Sequence, residues 1–183
     1  ARHWRERFPH AAPWRPSRLS KTAFVDVFGS VFEHSPFIAE RTLTRGLGAA
    51  NDTAEGLAAA MIQTFRLASK DERLGILKAH PDLAGKLALA GDLTEQSKSE
   101  QACAGLDRLS EAELARFTDL NTRYVARFGF PFIIAVKGLT RDDILAAFEA
   151  RVDNDQATEF ATACRQVERI ARLRIAQIFE DAA

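Results

Sequence analysis

A chain of 183 residues, 46% hydrophobic and 27% charged, is long enough to bury a core and ordinary for a water-soluble globular protein. Its 25 Lys+Arg balance 25 Asp+Glu, which leaves no electrostatic footprint for nucleic acid or an acidic membrane surface. Two cysteines, Cys103 and Cys164, form no CxxC pair, which argues against a disulfide framework and for a reducing compartment, the cytoplasm.

No apolar run reaches the roughly 20 residues of a membrane span. No signal peptide is visible, and the C-terminal Asp-Ala-Ala is not a peroxisomal address. A chain without an initiator Met is expected to be processed or cut from a longer parent.

The first 19 residues are rich in Arg, Pro and aromatics and are expected to form an arm outside the helical domain of residues 20–183. Prolines break any helix after Phe8. Trp4, Phe8 and Trp14 are its natural pins to the body or to a partner, and His3 and His10 read as solvated.

Ser20 suits the N-cap of a helix carrying Phe24, Val27, Phe28, Val31 and Phe32 and stopping at Ser35-Pro36. Pro36 suits the first turn of a second helix to about Arg45, closed by Gly46 and Gly48. Asp52 or Thr53 caps a third, with Leu57, Met61, Phe65 and Leu67 as core. Ser69 or Asp71 opens a fourth, with Leu74 and Leu77, ending at His80-Pro81. A short helix is expected around 83–89, with Gly91 ending it and Thr94 restarting the chain.

Ser110-Glu-Ala-Glu113 is a capping box opening a helix through Leu114, Phe117, Leu120, Tyr124 and Val125. Residues 128–138, FGFPFIIAVKG, have strand composition but no partner strand, so they are expected to be extended or irregular inside a helical body. Thr140 or Asp142 caps a helix through Ala150, and Asn154 or Asp155 caps the last and longest, to about Glu180. The pattern predicts an all-α fold: a single compact domain of about eight helices with a long C-terminal helix.

Chemistry concentrates in residues 79–106, AHPDLAGKLALAGDLTEQSKSEQACAGL. His80 ends a helix, twenty positions before Glu100, and Asp82, Ser97, Ser99 and Gln101 crowd the two. His80 fits either a helix-end imidazole favoured by the macrodipole or an acid/base group. Glu100 fits either a solvated charge or, with Ser97 and Gln101 at helical spacing, one wall of a cleft.

On the last helix the apolar positions Phe160, Ala163, Val167, Ile170, Ala171 and Ile178 place Arg174 on the buried stripe. Arg165, Arg169 and Arg172 fall off it. A buried guanidinium needs partners: an internal Arg–Glu pair, or an anionic or carbonyl ligand. The non-helical run 128–136 must also bond its N–H and C=O groups, to neighbours, water or a planar ligand. No HExxH or paired Cys/His spacing suggests a metal site, and no GxGxxG, Walker loop or GxSxG occurs. Cys103 and Cys164 read as core residues.

Taken together, FGSVFEHSPFIAE (28–40), HPDLAGKLA (80–88), LTEQSKSEQACAGL (93–106), LNTRYVARFGFPFIIAVKG (120–138) and ERIARLRI (168–175) resemble the OHCU decarboxylases. Those enzymes of urate breakdown act on 2-oxo-4-hydroxy-4-carboxy-5-ureidoimidazoline. The resemblance covers about residues 20–180 in the family's order, and the set is far more specific than any piece. Many relatives carry Ser-Pro-Trp where this chain has Ser35-Pro36-Phe37.

The resemblance implies an all-helical carboxy-lyase that gives (S)-allantoin and CO₂ from a small-molecule substrate, with no cofactor and no metal, as a homodimer. It places the catalytic residues at His80, Glu100 and Arg174. Substrate contacts fall at Pro81, Ser97, Gln101, Phe132, Ile133, Ile134, Ala135 and Val136. In the mechanism this suggests, His80, oriented by Glu100, handles the hydroxyl proton while Arg174 stabilises developing charge. Two other readings compete: a noncatalytic helical interaction module using the aromatic arm, and a lyase or hydrolase of another ureido compound.

Overall fold

The computed structural model describes residues 14–83, 106 and 109–182. Among these residues there are seven α-helices and no strand, which bears out the all-α reading. The chain divides into two units, residues 1–73 with 168–183, and residues 74–167.

In the first unit, α1 (Lys21–Phe28) is capped by Ser20, whose Oγ accepts from the Ala23 N–H at 3.2 Å. The helix ends at Gly29, short of the expected Ser35-Pro36. Val31 and Phe32 continue the apolar pattern and are buried, but on turns. Those turns carry Val31 N–H to Phe28 O and Ser35 N–H to Phe32 O, with His34 at φ 47°. Hydrophobic spacing therefore outlasted the helix, because the turn residues bury the same face by other means.

Pro36 begins α2 (Phe37–Thr44) as expected, and Gly46 follows it at φ 90°. Thr53 caps α3 (Ala54–Leu67), accepting from Gly56 N–H at 3.1 Å. Asp52, the competing cap, instead accepts from the N–H and Oγ of Ser17 at 2.8 and 2.9 Å. Leu57, Met61 and Phe65 are buried, whereas Leu67, expected in the core, is 63% exposed. It is the last helical residue, and the chain turns away at Ala68.

Trp14 packs edge-on against Phe179 with centroids 4.4 Å apart and also meets Phe28. Trp4, Phe8, His3 and His10 lie outside the described residues.

Ser69 opens α4 (Lys70–Ala79), trading hydrogen bonds with Glu72: Ser69 N–H to Oε2 at 2.9 Å and Glu72 N–H to Oγ at 3.1 Å. The helix expected around 83–89, Gly91 and Thr94 fall outside the described residues.

In the second unit, the capping box at Ser110–Glu113 starts α5 (Glu111–Phe128), which stops at Gly129 in the left-handed region, φ 76°. Thr140 starts α6 (Arg141–Arg151) with a capping box of its own. Asp155 heads α7 (Gln156–Ala182), accepting from the N–H groups of Ala157 and Thr158. An aromatic core gathers Phe117, Tyr124, Phe130, Phe132 and Phe148, with Phe132 and Phe148 stacked at 3.9 Å. Helices α4 and α7 each supply residues to both units.

Candidate active site

His80 follows α4 and is buried, with its N–H bonded to Leu77 O. Its Nδ1 lies 2.8 Å from the carbonyl oxygen of Ile76, one turn back. A carbonyl only accepts, so the proton of this bond sits on Nδ1, and in the neutral ring Nε2 carries the lone pair. The fold thus selects the tautomer in which Nε2 is the basic nitrogen.

Pro81 is half-buried. Burial pushes the Asp82 carboxyl above its usual range. Leu83 O accepts from Asn121 Nδ2 on α5 at 2.9 Å. Asn121 is buried, and its Oδ1 has no hydrogen-bond partner among the described residues. Asn121 was not singled out from sequence, and a lone Asn in an amphipathic helix carries no periodicity signal to flag it.

Glu100, Ser97 and Gln101 lie outside the described residues, as does Cys103. Cys164 is buried on α7, as a core cysteine should be.

Arg174 is buried on α7, whereas Arg165, Arg169 and Arg172 are exposed, as the apolar stripe requires. Its Nη1 donates to Glu33 Oε2 at 2.8 Å and to the Val31 carbonyl at 3.3 Å. Glu33 is itself only 1% exposed. The turn around Glu33 is tied by Ser35 Oγ, which donates to the Glu33 carbonyl at 2.9 Å. Glu33 is thus a component that sequence reasoning missed; its only signal was a carboxylate directly after the apolar pair Val31-Phe32. Arg174 belongs to the first unit and His80 to the second.

Residues 131–136 are neither helical nor paired as a strand, as expected. Phe132, Ile133, Ala135 and Val136 are buried, and Ile134 is less so. The Phe132 ring is enclosed between Phe148 and the Arg151 guanidinium, whose Cζ lies 4.3 Å from the ring centroid, so its side chain belongs to the core.

Two backbone groups of this run are bonded to side chains. Ile133 O accepts from Arg151 Nη1 at 2.8 Å, and Ala135 N–H donates to Gln166 Oε1 at 3.0 Å. No described residue accepts from the N–H groups of Ile134 or Val136. A segment held on one set of groups with a second set unspent can recognise the acceptors of a planar ligand.

Behind it lies a buried polar group. Glu159, at 0% exposure, receives Arg151 Nε at 3.0 Å and Nη2 at 2.5 Å, Asn154 Nδ2 at 2.8 Å, and the Tyr124 hydroxyl. Burial first, and then the bond to Glu159, hold the Tyr124 phenol well above its ordinary pKa, so it remains a donor. No group of three or more His, Cys, Asp or Glu suited to a metal ion occurs among the described residues. No helix among them is long and apolar enough to cross a membrane.

Comparison with known proteins identifies the family. The family model described as OHCU decarboxylase matches residues 17–176. The chain is 43% identical over 163 residues to the 2-oxo-4-hydroxy-4-carboxy-5-ureidoimidazoline decarboxylase of Haloferax volcanii, covering 89% of this chain and 93% of that one.

Two solved structures share the fold. The crystal structure of (S)-allantoin synthase superposes with a TM-score of 0.70 at 31% identity, covering 89% of this chain, which spans 52% of that one. The crystal structure of OHCU decarboxylase in the presence of (S)-allantoin gives 0.64 at 27% identity, covering 82% of this chain and 95% of that one.

Proposed function

The chain belongs to the OHCU decarboxylase family, and from that premise we propose that it removes CO₂ from 2-oxo-4-hydroxy-4-carboxy-5-ureidoimidazoline and releases (S)-allantoin, a step of urate breakdown. The observation that carries the reading to the level of chemistry is the His80 tautomer. With Nδ1–H committed to the Ile76 carbonyl, Nε2 is left as the basic nitrogen.

His80, with Glu100 as its partner, takes the proton of the substrate hydroxyl next to the departing carboxylate. Breaking the C–C bond sends its electron pair toward the adjacent C=N of the substrate, which is the electron sink, so the reaction needs no cofactor. A proton added to one face of the enol-like intermediate sets the S configuration. Arg174 holds an electronegative substrate group and stabilises the charge that develops on it, and its planar fork suits that task. The unspent N–H groups of Ile134 and Val136 support a role for residues 132–136 in binding the ureido or ring carbonyls, together with Pro81, Ser97 and Gln101.

The test is a coupled assay. The protein is added to urate oxidase and hydroxyisourate hydrolase acting on urate, and circular dichroism is followed at allantoin wavelengths. A fast-growing signal of (S)-allantoin is expected; a signal no faster than without the protein would refute the activity. Ureidoglycolate offered in place of the generated substrate should not turn over.

The same membership supports two further assignments, a homodimer and a cytoplasmic setting. Sedimentation of the 20.2 kDa chain is expected to give twice that mass, and a monomer at micromolar concentration would exclude the dimer.

A further inference from the structure

We propose that Gln166 and the buried Arg151–Glu159–Tyr124 group are positioning residues for substrate recognition, holding the backbone of residues 133–136 so that the N–H groups of Ile134 and Val136 stay aimed at acceptor oxygens of the substrate. The inference rests on the reading above, that this backbone binds substrate, and extends it to side chains that do not themselves touch the substrate.

The physical problem is that residues 131–136 have no regular hydrogen-bonding partner along their length. An irregular backbone wanders unless its polar groups are tied down, and recognition by backbone N–H groups depends on donors fixed before the ligand arrives. Two side chains do the tying on alternate residues: Arg151 Nη1 on Ile133 O at 2.8 Å, and Gln166 Oε1 on Ala135 N–H at 3.0 Å. Each comes from a helix, α6 and α7 respectively, so the irregular segment inherits helical rigidity.

Arg151 is in turn constrained. Its Nε and Nη2 both reach Glu159 Oε1, its face lies on the Phe132 ring at 4.3 Å, and its side chain is 12% exposed. Glu159 is fully buried and also receives Asn154 and Tyr124. Four hydrogen bonds compensate the burial of this carboxylate. Moving any one displaces the Arg151 fork, and with it the Ile133 carbonyl. The whole arrangement spends one guanidinium, one carboxylate, one phenol and two amides at the back of a single backbone strip.

Gln166 gives the sharpest test because it is half-buried and, among the described residues, meets the strip through the Ala135 N–H alone. Gln166→Met keeps the length of the side chain and removes the acceptor, whereas Gln166→Glu keeps an acceptor oxygen. With substrate generated in situ, Gln166→Met is expected to raise KM about five- to tenfold with kcat within about twofold, the signature of lost ground-state and transition-state binding together. Gln166→Glu, assayed at raised ionic strength to screen its charge, should lie within about threefold of the parent KM. An unchanged KM in Gln166→Met overturns the proposal, as does an equal rise in both variants, which would trace the effect to something other than the acceptor.

Should Gln166→Met not fold, Arg151→Lys takes its place, since a single ammonium cannot reach Glu159 and the Ile133 carbonyl as the fork does. The same KM rise is then expected, and a parental KM overturns the proposal. Failure of the underlying reading is told apart by the unaltered protein: if it does not decarboxylate the substrate at all, the function falls before the variants are compared.

Discussion

Arg174 and Glu33 stand 141 positions apart in the chain and meet at 2.8 Å, with 3% and 1% of their side chains exposed. Arginine is the better cation for such a place because its charge is diffuse and its several donors can serve two acceptors at once, here Glu33 and the Val31 carbonyl.

Removing one partner of that pair tests both of its roles. Arg174→Ala removes the guanidinium bonded to a buried carboxylate and is expected to cost about 3–5 kcal/mol of stability. It should also lower kcat/KM, because the guanidinium is proposed to stabilise charge in the reaction. Arg174→Lys keeps the charge, recovers part of the stability and does not restore full activity. Thermal unfolding and kcat/KM on both variants decide it. A large loss of stability with normal kcat/KM would make Arg174 a purely structural partner of Glu33.

His80→Ala and Glu100→Ala are each expected to lower turnover by about 10²–10⁴-fold, the usual contribution of a general acid–base group, while the helical circular dichroism persists. An enzyme with near-normal turnover after His80→Ala would rule out the proposed mechanism.

Chelation should leave the reaction untouched. Dialysis against EDTA is expected to give unchanged initial rates. Activity lost on dialysis and restored by a divalent ion would refute the cofactor-free assignment.

Acid stability should carry the mark of Glu72. The hydrogen bond from Arg41 first, and then those from Ser69, hold its pKa at about 2 against a usual 4.5. A lowered carboxylate pKa means the ionised form is favoured by folding, so its contribution is present above about pH 4.5 and is lost as pH falls toward 2. Glu72→Gln is therefore expected to be less stable than the parent near neutrality, with the gap in Tm closing between pH 4.5 and 2. The pair is exposed, so added salt should narrow the gap at every pH. A gap that stays constant with pH would show that the charge of Glu72 contributes nothing to stability.

What sequence revealed and what it hid divide along a physical line. Local chemistry was legible: Ser20, Ser110 and Thr140 cap where their hydroxyls predict, and the stripe of α7 separates buried Arg174 from exposed Arg165, Arg169 and Arg172. Where two local rules agreed, tertiary contacts chose between them. Asp52 and Thr53 were equal candidates for one cap, and Thr53 has it while Asp52 is occupied by Ser17. The end of α1 was overrun because burial of Val31 and Phe32 looks the same in a turn as in a helix.

Glu33 and Glu159 were out of reach for another reason. Glu33 meets Arg174 from 141 positions away, and Glu159 draws Arg151 and Asn154 from across the α6–α7 turn and Tyr124 from α5, none at a spacing that announces a partner. The candidate site showed the same split. The motifs pointed to His80 and Arg174, but neither the Ile76 carbonyl that sets the histidine tautomer nor Gln166 behind Ala135 was visible without coordinates.

The distance between Glu33 and Arg174 also sets an order of events during synthesis. The ribosome delivers Glu33 early, while its cation is still 141 residues from being made. Until α7 emerges, the turn holding Glu33 lacks its bond to Arg174, so full packing of the first unit is expected to wait for that helix. A stall or truncation upstream of Arg174 would release a chain with that fault built in, and pulse proteolysis of stalled nascent chains would reveal it as late protection of α1 and α2.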